Sequence, residues 1–416
     1  MSNQLKVTSN KLTARRLLPV TCYRRGGGAV KIGLVSPYDL AAPGGVNNHV
    51  QHLSQHFRAM GHDVRIVAPS SRLSGIDRNS IVLGTPRSVP AGGSVARMSL
   101  SPRLAAPVRR ILDEEAFDVV HVHEPLVSFL PIAFLRFSDA INVGTFHAAR
   151  EGGARLYAYT KRLLMPGFRH LDGKIAVSMA AASLIQKNFP GYYNIIPNGV
   201  EVERFAAPQP PLPELDDGMI NILFVGRLEK RKGLRYLLRA FERVKAKRPE
   251  TRLVVAGGYD ERQRRGYERW VSEAGLRDVE FVGYIPDELL PRYQHSAHVF
   301  CAPNTGNESQ GIILLEAMAA GRPVVASNIE GFAGVITHGV EGLLVRPKDS
   351  DALAEALLEL VEDPDVRRDL GARASERAQH FSWDRVSQRV LSYYERLAFE
   401  KGFATTSAQG EKVTGA

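Results

Sequence analysis

The most constraining feature of this sequence is a regular alternation of short β-branched runs with segments of helical periodicity. A run at residues 31–36 precedes a helical pattern at 46–60, and further strands are predicted at 63–68, 118–123, 141–147 and 174–178. A second series has predicted strands at 220–225, 252–256, 279–282, 299–302 and 323–327, with helices at 234–247 and 261–274. Such alternation is typical of parallel sheets covered by helices on both faces. The sequence therefore predicts an α/β fold with two Rossmann-like, doubly wound domains facing a central cleft.

The clearest break in the chain is the proline-rich stretch at residues 208–213, which acidic residues and Gly218 follow. Proline denies hydrogen bonds to both helices and sheets. We therefore predict a linker at 208–218 between a first domain at 31–207 and a second domain at 219–382. A helix at 383–400 is expected to cross back to the first domain. Residues 1–30 are expected to be a disordered basic leader, and residues 401–416 a disordered tail.

Charge and composition exclude several classes of protein. The net charge is +10, but six Lys and Arg residues and no acidic residue fall in the first 30 positions. Most of the excess positive charge therefore lies in a leader that we expect to be solvated, so no nucleic-acid partner is expected. No apolar run approaches the about 18 residues of a membrane span, and the leader lacks the apolar stretch of a secretory signal. These features predict a cytoplasmic protein. The two cysteines, Cys22 and Cys301, cannot form a disulfide framework or a cysteine-based zinc site.

Two loops at predicted strand ends have the composition of phosphate-binding sites. Pro43-Gly44-Gly45-Val46 lies between the first strand and its helix, where glycines let backbone N–H groups approach an anion. The stretch from Gly226 to Gly233 follows the first strand of the second half and contains Arg227, Arg231 and Lys232. Because both loops face the predicted cleft, the cations can hold a diphosphate opposite the glycine turn.

A pair of glutamates marks the third candidate element. Glu308 and Glu316 are separated by seven residues around a predicted loop-to-helix transition, and Gly311 lies between them. Carboxylates at this position can accept hydrogen bonds from the hydroxyl groups of a sugar or ribose.

Several histidines are candidates for function. His49, His52 and His56 share one helical face, but no nearby carboxylate completes a metal site, so we predict no metal. His121 and His123 are expected to pack at a strand end. His147 ends a predicted strand at the cleft, which favours a functional role.

The glycine turn, the basic loop and the glutamate pair, in this order, resemble the retaining GT-B glycosyltransferases that carry two glutamates with this spacing. Within this class the chain is most similar to phosphatidylinositol mannosyltransferases of the mycobacterial type. Shorter matches support the resemblance, which covers residues 31–399: Val35-Ser36-Pro37-Tyr38, His121-Val122-His123-Glu124-Pro125, Thr145-Phe146-His147, Ile196-Pro197-Asn198-Gly199-Val200 and the motif from Gly93 to Arg97.

The resemblance implies a role for each matching position. The donor-binding residues implied by the resemblance are Gly45, Arg227, Arg231, Lys232, Ile285, Asp287, Glu308, Ser309, Gln310, Gly311, Ile312 and Glu316. Among them, Glu316 would bind the ribose and Asp287 would lie near the base. The implied acceptor-binding residues are Tyr38, Asn47, Arg97 and His147. The implied catalytic residues are His147, Arg227, Lys232 and Glu308.

The implied reaction is transfer of a hexose, with mannose from GDP-mannose favoured, to phosphatidylinositol or a related glycolipid. No permanently bound cofactor is expected, because the nucleotide-diphosphate sugar is a substrate. The partners are then the nucleotide sugar and a lipid or glycan acceptor. Arg103, Arg109 and Arg110 are expected to give a weak contact with the inner face of the cell membrane.

Other readings stay open at this point. Asp287 and Leu290 do not distinguish guanine from uracil, so a UDP-sugar and another lipid, glycan or small acceptor form the main alternative. A nucleotide-sugar epimerase would need no acceptor, and Tyr38, Arg97 and His147 argue against it. A non-catalytic sugar-binding protein would not need both glutamates and the cations of the basic loop.

Overall fold

The computed structural model describes residues 28–42, 44–91, 94–148 and 151–402. Pro43 and Gly93 of the predicted motifs lie outside the described residues, as do residues 1–27 of the predicted leader and 403–416 of the predicted tail.

The first half alternates strands and helices as the sequence predicts. Its elements are β1 (Lys31–Val35), α1 (Gly45–Ala59), β2 (Asp63–Ala68), β3 (Ser80–Val82), β4 (Arg87–Ala91), β5 (Ser94–Met98), α2 (Ala105–Glu115), β6 (Val119–His123), α3 (Phe129–Phe137), β7 (Ile141–Phe146), α4 (Glu151–Arg169), β8 (Gly173–Ala176), α5 (Met179–Gln186), β9 (Asn194–Ile195) and α6 (Val202–Ala206). Within the described residues, seven parallel strands form one sheet in the order β3-β2-β1-β6-β7-β8-β9. The antiparallel β4–β5 hairpin stands apart from this sheet, and the β-branched pattern did not predict it.

The second half repeats the architecture. Its elements are β10 (Ile220–Val225), α7 (Leu234–Lys247), β11 (Thr251–Ala256), α8 (Glu261–Glu273), β12 (Val279–Gly283), α9 (Leu290–Ser296), β13 (Val299–Ala302), α10 (Ile312–Ala319), β14 (Val324–Ser327), α11 (Glu330–Ala333), β15 (Gly342–Val345), α12 (Ser350–Glu362), α13 (Pro364–Ala378) and α14 (Trp383–Glu400). The described strands form a six-stranded parallel sheet in the order β12-β11-β10-β13-β14-β15. The prediction of two doubly wound units is confirmed.

Both sheets reverse their strand order at one place, which is where open α/β sheets bind ligands. In the first sheet the reversal lies between β1 and β6, and in the second it lies between β10 and β13. The loops after β1, β10 and β13 are those that carry the predicted glycine turn, basic loop and first glutamate. Topology therefore places the candidate motifs at the carboxyl ends of the central strands.

Helix α14 packs on the first sheet, although it follows the last strand of the second sheet. Its buried residues Trp383 and Tyr394 share a core with Ile32 and Leu34 of β1. The Tyr394 hydroxyl is 2.6 Å from Nδ1 of His121 on β6. The last helix therefore joins the two halves of the molecule.

The packing of the proline-rich segment bears on where the chain passes between the halves. Leu212 and Leu215 are buried in the core of the second sheet, together with Phe205 of α6. Val200 pairs with Ser382 in an isolated parallel bridge, so the outgoing and returning chains run side by side. We propose that the chain crosses at residues 196–200 and returns at 381–383, and that residues 208–218 are a packed part of the second half rather than a linker.

Helix α2 carries two of the three arginines expected at a membrane. The Arg109 guanidinium lies 4.2 Å from the centre of the Phe137 ring, and Arg110 pairs with Glu114 at 3.6 Å. None of the helices among the described residues combines the length and apolar character that crossing a bilayer requires.

Candidate active site

The loops after β10 and β13 contact each other and form one side of the candidate site. The Thr305 N–H donates to the carbonyl oxygen of Arg231 at 2.8 Å. Gly233 ends the basic loop with a φ of 77°, and a Cβ there would lie 1.9 Å from the Pro303 carbonyl oxygen. Only glycine permits both this left-handed conformation and this close approach. The loop geometry therefore brings the predicted cations next to the first glutamate.

Glu308 is the centre of a charged cluster. Its Oε2 atom lies 2.6 Å from Nζ of Lys232 and 3.2 Å from Nη1 of Arg231, and it accepts a hydrogen bond from Asn304 Nδ2 at 2.9 Å. Burial raises the pKa of Glu308, but the Lys232 and Arg231 charges outweigh it, so the pKa is lowered overall. The carboxylate is therefore ionised and forms ion pairs with both cations.

Arg227 lies at the outer edge of this cluster. Its Nη2 atom is 2.9 Å from Oε1 of Glu229, whose Oε2 atom is 2.7 Å from Nε of Arg231. The Arg227 side chain is about half exposed, whereas those of Arg231 and Lys232 are mostly buried. Glu229, which the sequence reasoning did not select, therefore aligns two of the predicted diphosphate ligands.

The second glutamate lies near a separate group of charges. Glu316 is half-buried in α10, and burial together with the Asp287 carboxylate raises its pKa to about 7, while Arg204 acts in the opposite direction. Nη2 of Arg204 is 2.8 Å from Oδ2 of Asp287, and Nη1 is 2.8 Å from Oε2 of Glu201. The structure thus brings Asp287 and Glu316 together, with Arg204 as a cation that the sequence reasoning missed.

The remaining donor positions surround the start of α10. Gly311 has a φ of 78°, and a Cβ there would lie 2.5 Å from Phe332. Ser309 and Ile312 flank it and are half-buried, while Ile285 packs against the core of the second half. Gln310 is an exception, because its side chain is buried and its amide bonds to Asn198. The Gln310 side chain therefore contacts the first half in this conformation, and its implied role in binding the sugar donor stays a prediction.

Gly45 begins α1 on the opposite side, in the first half. No side chain among the described residues caps this helix at Gly44, and a Cβ at Gly45 would meet nothing within 4 Å. The exposed first turn of α1 therefore has backbone N–H groups that can face an anion.

Two predicted acceptor residues, Tyr38 and Arg97, lie beside each other in the first half. Tyr38 pairs with Met98 in an isolated antiparallel bridge, and the Asp39 N–H donates to the carbonyl oxygen of Arg97 at 2.9 Å. Nε of Arg97 is 3.4 Å from the buried carboxylate of Asp39, and the Arg97 side chain is about half exposed. The β4–β5 hairpin therefore presents Arg97 from a fixed backbone.

Asn47, for which an acceptor role is predicted, bonds to its own loop in this conformation. Its side chain is buried, its Nδ2 donates to the carbonyl oxygens of Asp39 at 2.8 Å and Ala42 at 3.0 Å, and its Oδ1 accepts from the Ser36 hydroxyl at 3.0 Å. Asn47 therefore fixes the loop between β1 and α1.

His147 belongs to a cluster of histidines from three elements. Its Nε2 lies 3.1 Å from Nδ1 of His123, and its ring centre is 4.8 Å from that of His49. Burial and the charge of nearby His121 lower the pKa of His147 to about 3, against a smaller opposite effect of Asn198. Burial also lowers the pKa values of His49 and His123 well below 6.5. The cluster is therefore neutral at physiological pH.

His49, His123 and His147 are the described residues that could hold a metal ion. Their ligand nitrogens lie within 4.8 Å of one another. Two nitrogens that share a zinc ion at about 2.1 Å each cannot be more than about 4.2 Å apart, so metal binding would require the cluster to contract. His49, His52 and His56 share one face of α1 as predicted, and their rings lie 5.2, 4.9 and 6.4 Å from the Trp383 ring. His49 alone of these three also contacts His123 and His147.

Glu124 is a third residue that the sequence reasoning did not assign to the site, after Glu229 and Arg204. It is buried, adopts a left-handed φ of 49°, and accepts a hydrogen bond from the His147 N–H at 2.9 Å. A non-glycine residue in this conformation is uncommon and often marks a functional site. Its position directly after β6, at the carboxyl end of the sheet, is the signal that could have identified it.

Comparisons with known proteins agree with this arrangement. The model of Glycosyltransferase Family 4 matches residues 43–204, and that of Glycosyl transferases group 1 matches residues 211–377. The phosphatidyl-myo-inositol mannosyltransferase of Mycolicibacterium smegmatis is 36% identical over 374 residues, which cover 89% of this chain and 94% of that protein. Sucrose-phosphate synthase from Thermosynechococcus elongatus superimposes with a TM-score of 0.69 at 22% identity, over 89% of this chain and 100% of that one. A glycosyltransferase from Rickettsia africae gives a TM-score of 0.72 at 17% identity, over 89% and 98%.

Proposed function

Because the chain belongs to glycosyltransferase family 4, a family of retaining hexosyltransferases, we propose that it transfers mannose from GDP-mannose to phosphatidylinositol or a related glycolipid. Enzymes of this fold use nucleotide-sugar donors. The mannosyl and phosphatidylinositol specificities are supported by the relatives, which are 34–36% identical over 89% of the chain and carry the name phosphatidyl-myo-inositol mannosyltransferase. In this proposal the first half holds the acceptor and the second half holds the nucleotide sugar.

The observation that carries the proposal is the cluster of Arg231, Lys232 and Glu308 at the carboxyl end of the second sheet. A donor diphosphate would take the place of Glu308 as the main anionic partner of Lys232. Arg227 and Lys232 would then offset the negative charge that grows on the leaving diphosphate in the transition state. Glu308, released from Lys232, would accept hydrogen bonds from the sugar hydroxyls.

The protonation state of His147 indicates how the acceptor would be activated. A histidine whose pKa is about 3 is a very weak base at neutral pH, so it orients the acceptor hydroxyl rather than removing its proton. We infer front-face attack, in which the departing β-phosphate accepts that proton and the anomeric configuration is retained. Arg97 would bind an anionic head group through its half-exposed guanidinium.

The alternative is a UDP-sugar donor with another lipid, glycan or small acceptor. Leu290, which begins α9, packs against the core of the second half, so it provides no polar group that selects a base. Base selection would then fall to Asp287 and to backbone groups near Ile285.

Two measurements test the proposal. Thermal unfolding with GDP, UDP and ADP identifies the base, since a ligand at 100 times its dissociation constant stabilises by about 2.7 kcal/mol. Transfer from GDP-mannose to phosphatidylinositol vesicles, with the product anomer assigned by NMR, identifies the reaction. Stabilisation by UDP but not GDP would favour the alternative, and an inverted anomer would contradict the mechanism.

Arg97→Ala and His147→Ala test the acceptor site. The first should raise the apparent acceptor KM with little change in donor affinity, and the second should lower turnover. Both should reduce transfer more than hydrolysis of the donor by water, which needs no head-group site. Equal losses in transfer and hydrolysis would contradict the acceptor-binding role proposed for Arg97 and His147.

A further inference from the structure

Two buried side-chain amides join the halves of the molecule beside the candidate site. Asn198 lies in the loop after β9, and Gln310 lies in the loop before α10. Oε1 of Gln310 accepts hydrogen bonds from the backbone N–H of Asn198 at 2.7 Å and from its Nδ2 at 2.9 Å. Nε2 of Gln310 donates to the Asn198 carbonyl oxygen at 3.1 Å. The exposed fractions are only 5% for Asn198 and 3% for Gln310, so solvent does not compete for these bonds.

Each partner of this pair is also adjacent to a proposed substrate-binding element. The Asn198 amide raises the pKa values of His49 and His147 against the larger effect of burial, so it lies next to both imidazole rings. Gln310 stands two residues after Glu308, which is bound to Lys232. The pair is therefore a direct connection between the histidine cluster of the first half and the donor loop of the second half.

The pair also lies where the chain passes between the halves. Gly199 follows Asn198, and a Cβ at Gly199 would lie 2.4 Å from the Trp383 ring at the start of α14. A contact beside the crossover moves little when two domains rotate about that crossover, so these hydrogen bonds can persist in open and closed arrangements. Because both amides are neutral, the connection does not depend on pH.

We propose that Asn198 and Gln310 are positioning residues that hold the donor loop at residues 308–311 in register with His147. This inference rests on the proposed function, in which His147 orients the acceptor and Glu308 contacts the donor sugar. A rigid connection keeps the reacting atoms of two separately bound substrates within attack distance, and errors of about 1 Å can cost about a hundredfold in rate. Gln310 thus acts through the placement of its loop and not by contact with the donor.

The test uses Gln310→Met, which nearly keeps the side-chain volume but removes all three hydrogen bonds, together with Asn198→Ala and the double variant. Transfer to the acceptor used by the wild type should fall at least tenfold in Gln310→Met. The loss should be smaller in Asn198→Ala, which removes only the Nδ2 bond because the other two bonds use backbone atoms of Asn198. Hydrolysis of the donor and donor affinity should fall less than transfer does, because neither requires alignment with an acceptor. The double variant should be no less active than Gln310→Met alone, because Gln310→Met already removes the one bond that Asn198→Ala removes.

Ser183→Ala provides a matched control. It removes another hydrogen bond between the halves, from Ser183 Oγ to Glu330 Oε1 at 3.1 Å, at an exposed position away from the histidines. Its ratio of transfer to hydrolysis should equal that of the wild type.

Hydrogen–deuterium exchange in the ligand-free protein separates this inference from the proposed function. Gln310→Met should increase exchange at residues 308–311, whatever sugar or acceptor the enzyme uses. Unchanged exchange there, equal losses of transfer and hydrolysis, or additive losses in the double variant would each overturn the inference. Gln310→Glu, which keeps the size of the side chain and loses the Nε2 donor, gives the same readout if Gln310→Met does not fold. Failure of the wild type to use GDP-mannose or phosphatidylinositol would contradict only the proposed specificity.

Discussion

Glu316 is expected to destabilise the protein in the absence of a donor. It is half-buried in α10, and burial together with the Asp287 charge raises its pKa from 4.5 to about 7, although Arg204 offsets part of this effect. The substitution Glu316→Gln keeps the size of the side chain and removes its charge. We expect the variant to be more stable than the wild type and to bind the donor less tightly.

The size and the pH range of the effect follow from this pKa. At about 1.36 kcal/mol per pKa unit, ionising Glu316 in the folded protein costs about 3 kcal/mol. The unfolded chain loses this proton near pH 4.5 and the folded protein near pH 7, so the folded state holds more protons between these values. The stability that protonated Glu316 contributes is therefore fully present below pH 4.5 and is lost progressively as the pH rises from 4.5 to 7. The gain from Glu316→Gln should be about 3 kcal/mol at pH 8 and about 1 kcal/mol at pH 5.5.

Urea unfolding of both proteins at the two pH values measures this difference. Glu355→Gln, at an exposed position on α12, is the control and should show no pH-dependent gain. A gain that is absent, or equal at pH 5.5 and pH 8, would refute the argument that Glu316 carries a buried charge.

Donor binding gives a second test of the same residue. If the ionised carboxylate holds the ribose, wild-type affinity for the nucleotide should rise as the pH increases through 7, while that of Glu316→Gln stays flat. A loss of about tenfold or more at pH 8 is expected for the variant, because a hydrogen bond to a charged group contributes about 1.5–3 kcal/mol. Unchanged affinity would show that Glu316 does not contact the nucleotide.

Three further predictions concern the proposed diphosphate ligands Arg227 and Lys232, the closure of the cleft and the last helix. Arg227→Ala or Lys232→Ala should lower turnover about a hundred- to a thousandfold with the fold intact, since each removes about 3–4 kcal/mol of transition-state stabilisation. Near-normal turnover with saturating donor would show that these two cations do not bind the diphosphate. Donor binding should reduce the radius of gyration in small-angle scattering, because the donor would lie between halves that we propose are joined near residues 196–200 and 381–383. An unchanged radius at saturation would argue against closure. Tyr394→Phe should lower the free energy of unfolding by about 1–3 kcal/mol, because it leaves a buried nitrogen of His121 without its 2.6 Å partner; Tyr159→Phe, at an exposed position, should have no effect.

Local patterns in the sequence were sufficient for the architecture and for the loops that surround the site. The predicted strands at 63–68, 220–225 and 299–302 match the observed β2, β10 and β13, because central parallel strands are continuous apolar runs between turns. The strands β3, β9 and β15 were missed; β3 has three residues and β9 has two, which are too few to show a period. Gly233 and Gly311 stand where positive φ and close packing require glycine.

The sequence by itself determined two doubly wound units and the identity of the loops at their carboxyl ends, because hydrophobic periodicity and glycine placement depend on neighbours within a few residues. Only the tertiary structure decided which side chains meet. It placed His49 against His123 and His147, committed Asn47 to its own loop, and paired Asn198 with Gln310 across 112 positions of the chain. Such pairings depend on strand order and on where the chain crosses between the sheets. Neither feature produces a periodic pattern in the sequence.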